Sequence, residues 1–201
     1  MYYGRRRWRR QLLKVVCMRK LEYLKLFSIS GVPVFIHWSL SVPLVLIAVL
    51  AVSEISMLIV AISILMVMLI HEIGHMWFAS KLGLRSVRIS LYLLHGQFSF
   101  EKADNDYHNC LVSWGGVAAQ AIVFIPCIAI FSLYSASLPW YVNVPLMILG
   151  YINALIAVVN MAPAMGLDGE ECWKSIPLYF KYYRPRSGRD KKNRKHLKSV
   201  K

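Results

Sequence analysis

Histidine, glutamate and histidine at positions 71, 72 and 75, in the stretch LIHEIGHMWFAS, are the residue types that bind a metal ion and activate water. Residues four apart lie on one face of a helix, so His71 and His75 can offer two imidazoles to one ion. Glu72 stands beside them, placed to take a proton from water at that ion. Zinc held by three protein ligands with one open position lowers the pKa of its water towards neutrality. HEIGH supplies two ligands, and a third must come from elsewhere in the chain. The plain alternative is a pair of hydrogen-bonded core histidines. The setting argues against it, because ionisable groups inside an apolar span are costly and mark function.

The surrounding chain is oily enough to place this chemistry in a bilayer. Of 201 residues, 57% are hydrophobic, above the usual share of a soluble domain. Four runs reach the roughly 20 apolar residues that cross a membrane: 34–52, 55–80, 114–134 and 144–162. There is no internal repeat and no linker long enough to separate domains. HEIGH closes the second run.

Charge orients these runs. Lys and Arg number 24 against 10 Asp and Glu, with nine of the basic residues in 5–25 and eleven in 174–201. Only Lys81, Arg85, Arg88 and Lys102 fall between those ends. Basic ends flanking apolar spans are cytoplasmic anchors that meet anionic lipid headgroups. Nucleic acid is not expected as a partner: RRRWRR and KYYRPR interleave aromatics with cations, but no nucleic-acid fold motif accompanies them. Two cytoplasmic tails require an even number of spans, which four satisfies, and put the 81–111 loop inside. The basic N-terminus reads as an uncleaved signal anchor rather than a signal peptide. Cys17, Cys110, Cys127 and Cys172 have no CxxC spacing and suggest neither a thiolate zinc site nor a disulfide framework.

The cytoplasmic loop has a pattern of its own. SVRISLYLL alternates Val87, Ile89, Leu91 and Leu93 on one face, and LHGQ offers a turn before FSF. That predicts a short β-hairpin over about 86–100, or else an amphipathic piece lying in the membrane interface. After Pro163, ECWKSIPLYFKYY mixes aromatics and lysine as interfacial segments do.

The third ligand can be sought by depth. The second and fourth spans both run from outside to inside, so HEIGH and NMAPAMGLDG end at the same level. Asp168 lies just beyond the fourth span there, with Glu170 and Glu171 next to it. A proline and two glycines free this backbone from helix and let Asp168 turn back towards the bundle. Asp168 is equally at home as the turn residue of a Leu-Asp-Gly bend; the pairing with HEIGH favours a ligand. Asn153 and Asn160, seven apart on one face, read first as interhelical hydrogen-bonding residues, as do His37 and Gln120. His95 and His108 read as loop histidines, and the nine methionines as packing.

HEIGH on a membrane helix, followed by Asn-x-x-Pro-x-x-x-x-Asp-Gly in NMAPAMGLDG, resembles the site-2 protease family of intramembrane zinc metalloproteases. In layout the chain is similar to the small bacterial, sporulation-protease-like members, over about residues 31–169. GVPVFIHWS looks like the family's approach to the first span, and VSWGGVAAQ like its approach to the third. The resemblance implies one zinc per chain held by His71, His75 and Asp168, with Glu72 as general base. It also gives Asn160 a place in holding substrate backbone or an oxyanion. Two positions depart from the family pattern. Gly116 stands where Pro is usual, with Gln120 where Asn often follows, and Glu170 replaces a third Gly after Asp-Gly. Both bear on substrate positioning more than on the metal.

The expected fold is therefore an all-α polytopic membrane protein of about four transmembrane helices, with a short hairpin in the cytoplasmic loop. A basic cytoplasmic segment (1–33) precedes a membrane-embedded metalloprotease core (34–169), and a basic cytoplasmic tail (170–201) follows. The expected activity is zinc-dependent cleavage of a transmembrane segment of another protein, in a bacterial cytoplasmic membrane with both termini inside. Two rivals predict different chemistry: a silent metal-binding scaffold, which has no use for Glu72, and a metal transporter, which would spread His and Asp along several spans.

Overall fold

The structure, a computed structural model, describes residues 23–50, 54–93, 95–101, 103 and 105–183. Its elements follow in order: β1 (Tyr23–Ile29), β2 (Val32–His37), α1 (Trp38–Leu50), α2 (Ile55–Lys81), β3 (Ser86–Leu91), β4 (Gly96–Phe100) and α3 (Asp106–Tyr134). Then come α4 (Trp140–Met147), a π-helical turn (Ile148–Ile152), α5 (Asn153–Asn160) and α6 (Asp168–Tyr183). Among the described residues, three helices are long and apolar enough to cross a membrane: Ile55–Lys81, Asp106–Tyr134 and Trp140–Asn160. The last is α4, the π turn and α5 running as one rod.

The expected hairpin is present. β3 and β4 pair antiparallel, with Ile89 opposite Phe98 and Leu91 opposite Gly96. It belongs, however, to a four-stranded sheet of order β1-β2-β3-β4 that includes residues expected to be basic segment and first span. VFIH, placed at the start of the 34–52 span by its oiliness, belongs instead to strand β2. Val32, Val34 and Ile36 are buried and alternate with less buried neighbours, the two-residue period of a pleated strand. Pro33 lacks an amide hydrogen, and pairing of β2 with β3 begins only at Val34. The remainder of the expected span is α1, a 13-residue helix; residues 51–53 lie outside the described residues, as do 1–22 and 184–201.

β1 pairs antiparallel with β2, and β2 pairs parallel with β3. A parallel pair needs a crossover, which here is the helical pair α1 and α2. The inner face of the sheet, Val32, Val34, Ile36, Ile89 and Leu91, packs with Leu40 and Met76 into one apolar core, flanked by Leu69 and Ile73. The sheet thus sits against the HEIGH end of α2.

α2 and α3 cross in close contact. A Cβ on Gly74 would overlap the carbonyl of Gly115, and one on Gly115 would overlap that of Gly74. Small residues let membrane helices approach backbone to backbone. The segment expected as a basic tail begins as the amphipathic helix α6, with Cys172 and Ser175 buried against α3 and Trp173, Ile176 and Phe180 exposed. Trp114 Nε1 donates to Ser175 Oγ at 3.1 Å across this contact.

Candidate active site

α2 carries His71, Glu72 and His75 in its last three turns. After α5 the chain leaves helix at Met161, turns through Gly166 at φ +86°, and re-enters helix at Asp168, the first residue of α6. Gly166 supplies the left-handed conformation that side-chain-bearing residues avoid. Gly169 lets the new helix abut the end of the old one, since a Cβ there would overlap the carbonyls of Met161 and Ala162. Trp173 Nε1 donates to Met161 O at 2.8 Å and ties the two together.

These elements bring three ligand atoms to one point. His71 Nε2 and His75 Nε2 are 3.0 Å apart, and Asp168 Oδ2 lies 2.9 Å from the first and 3.2 Å from the second. The other ring nitrogens are engaged: His75 Nδ1 is 2.9 Å from the Val112 carbonyl, and His71 Nδ1 is 2.9 Å from Gln120 Oε1. A carbonyl only accepts, so His75 donates from Nδ1 and turns a lone pair at Nε2 inward. Gln120 Oε1 asks the same of His71. Asp168 Oδ2 is buried and has no hydrogen bond.

Three lone-pair atoms facing one another is a socket for a cation. Ligand atoms about 2.0–2.2 Å from a tetrahedral zinc stand roughly 3.3 Å apart, close to the spacing here. Two imidazoles and a carboxylate are also the donor set of a catalytic rather than a structural zinc.

Glu72 is 2% exposed, and its Oε2 is buried with no hydrogen bond. β4 lies directly against it: a Cβ on Gly96 would overlap the Glu72 carboxylate. A cavity of about 640 Å³ joins the parts, lined by His71, Glu72, His75, Asn160 and Asp168 together with the β4 residues Gly96, Gln97 and Phe98. Gly116 gives the imidazoles their room, since a Cβ there would run into the His71 ring.

Residues 59–122, the segment that carries HEIGH, match the model of Peptidase family M50. The match covers the helix that carries His71, Glu72 and His75. The site-2 protease resemblance seen in HEIGH and GLDG is borne out. A Synechocystis protein, named by inference a zinc metalloprotease, is 31% identical over 107 residues, covering 53% of this chain and 28% of that protein. A zinc metalloprotease of Methanocaldococcus jannaschii is 24% identical over 156 residues, covering 76% and 45%. The chain thus spans less than half the length of the curated relatives it matches. A solved site-2 protease from Methanocaldococcus jannaschii superposes with a TM-score of 0.61 at 22% identity, over 80% of this chain and 73% of that one. That likeness makes the fold site-2-protease-like.

All five residues singled out by sequence, His71, Glu72, His75, Asn160 and Asp168, line one cavity. His95, read as a loop histidine, lines it too, because the hairpin folds back over α2. His37 does not join it; its Nδ1 pairs with Ser39 Oγ at 2.8 Å. Gln120 is more than a link between helices, as its contact with His71 shows. Its signal in the sequence was one amide opposite an apolar helix face, which does not name its partner.

Proposed function

We propose that this chain is a zinc-dependent endopeptidase that cleaves a transmembrane segment of another membrane protein. The observation that carries the reading is the meeting of His71, His75 and Asp168 beside Glu72, which has no place in a purely structural site. When bound, zinc supplies an acidified water and a Lewis acid for the scissile carbonyl. Glu72 receives the proton of that water at its carboxylate and can return it to the leaving amine. Asn160 on the cavity wall holds substrate backbone or the developing oxyanion with its amide.

A helical substrate shields its carbonyls and must unwind before cleavage. β4 is an outer strand of the sheet and faces the cavity, so an extended segment can add alongside it and lie next to Glu72. Four crossings, both termini cytoplasmic, complete the reading. The parallel pairing of β2 with β3 supports it: α2 has 27 residues, about 40 Å of helix, and the chain must travel out from β2 before α2 brings it back. The basic tails then meet anionic headgroups of a bacterial cytoplasmic membrane.

The test joins metal analysis to cleavage of reconstituted transmembrane substrates. Wild type holds one zinc and cleaves. Glu72→Gln keeps the zinc and loses about 10²–10⁴-fold in rate. Turnover that survives Glu72→Gln rejects the mechanism.

A further inference from the structure

Behind His71 lies a buried chain of amides that the chemistry above leaves unused. Gln120 and Asn153 are both 0% exposed. Gln120 Oε1 meets His71 Nδ1 at 2.9 Å, and Gln120 Nε2 meets Asn153 Oδ1 at 2.8 Å. Asn153 Nδ2 in turn meets the Leu149 carbonyl at 3.1 Å and the Gln120 carbonyl at 3.5 Å. A primary amide can be turned end for end, so the direction of such a chain is set only where it reaches a one-way group.

The Leu149 carbonyl is that group, because it only accepts. It obliges Asn153 to present its NH₂ and to leave Oδ1 towards Gln120. Gln120 must then donate through Nε2, which leaves only its Oε1 for His71. The ring therefore donates from Nδ1 and keeps a lone pair at Nε2, on the side of His75 and Asp168. Each step follows from donor and acceptor inventory alone.

The π-helical turn Ile148–Ile152 accounts for the availability of that carbonyl. In an α-helix the amide of Asn153 would bond the carbonyl four residues back, Leu149. Here it bonds Ile148 O and Gly150 O instead. Such wide turns are frequent at functional sites. The turn releases the Leu149 carbonyl from its α-helical partner, and the Asn153 side chain occupies it.

We propose that Gln120 and Asn153 are positioning residues which, anchored on the carbonyl released by the Ile148–Ile152 turn, hold His71 in the tautomer that bares Nε2 for the metal. The proposal rests on the reading of His71, His75 and Asp168 as metal ligands. If the chain is cut, the Gln120 amide is free to turn and offer NH₂ to Nδ1. The ring proton is then driven to Nε2, in competition with the ion. Outer partners of ligating histidines carry about 10–100-fold in metal affinity.

The experiment measures zinc affinity by chelator competition on the purified full chain, with 15N spectra of labelled histidine as a second readout. Gln120→Leu should weaken zinc about 10–100-fold, whereas Gln120→Glu, whose carboxylate only accepts, should stay within about threefold of wild type. Asn153→Leu should weaken zinc about tenfold in the wild-type background and have little effect in the Gln120→Glu background, where nothing remains to be oriented. The spectra should show His71 protonated at Nδ1 in wild type and Gln120→Glu, with that signal diminished in Asn153→Leu. Equal loss from Asn153→Leu in both backgrounds overturns the proposal, as does Gln120→Leu with unchanged zinc. A wild type that binds no zinc overturns the metal-site reading itself, a distinct outcome.

Discussion

The two halves of the candidate metal site are built in opposite ways. His71 and His75 ride on one uninterrupted helix, clamped to α3 by the Gly74–Gly115 crossing, and each has its second ring nitrogen held by a fixed partner. Asp168 arrives after a break in the chain, past a glycine at positive φ, and its Oδ2 has no hydrogen bond. Near the break Met165 is 94% exposed. One half rides on a single helix, and the other opens a second helix, α6, that packs on α3. His71 and His75 share their helix with Glu72, so the three are placed together. Asp168, on a separate element, can take up small differences in position without disturbing Glu72.

This contrast can be broken, and the largest effect should come from the α2 half. His75→Asp moves the ligand atom back along a helix that cannot follow, and zinc should be lost altogether from the purified protein. Stoichiometric zinc in that variant would show the α2 half to be adaptable after all. Next is Gly74→Ala, which forces a methyl against the Gly115 carbonyl. It should cost about 1–3 kcal/mol of stability, read as an earlier thermal transition in detergent. An unchanged transition would mean that α2 and α3 are free to separate.

At the chain break the effects should be smaller. Asp168→Glu adds one methylene that the break can absorb, so zinc should bind with a loss on the order of tenfold, by chelator competition. A complete loss would make Asp168 as rigidly placed as the histidines. Gly166→Ala meets no atom within 4 Å and should cost only the left-handed backbone, about 1–2 kcal/mol. The same thermal measurement checks it; an effect above that of Gly74→Ala would reverse the comparison.

The site was more legible in the sequence than the sheet. HEIGH names its own geometry, because four-residue spacing on a helix fixes two imidazoles on one face. Asp168 followed from matching the depths of two spans, and the 86–100 hairpin from the alternation of Val87, Ile89 and Leu91. β2 was hidden because a short apolar run reads the same as strand or as the start of a membrane helix. The apolar alternation of Val32, Val34 and Ile36 merged into the longer oiliness of 34–52. The π turn left no signature either. Leu149, Gly150 and Tyr151 fit an ordinary helix, and only tertiary placement of Asn153 opposite Gln120 reveals the extra residue. Gln120 and Asn153 could be read as hydrogen-bonding residues, but their direction is a property of the assembled chain.

The parallel contact between β2 and β3 also bears on how the protein is made. β2 is synthesised before either helix of the crossover, and its partner appears only after α2 has been completed. Val34 must wait for Ile89, a separation that makes this a late, non-local pairing. The two strands can meet only if the intervening helices deliver the chain back to the side from which it left. An α1–α2 pair that failed to return the chain to β2 would leave β2 without β3, and the core around Val34 and Met76 unformed. Closure of the sheet, and with it the wall that Gly96 gives Glu72, therefore depends on the docking of both crossover helices.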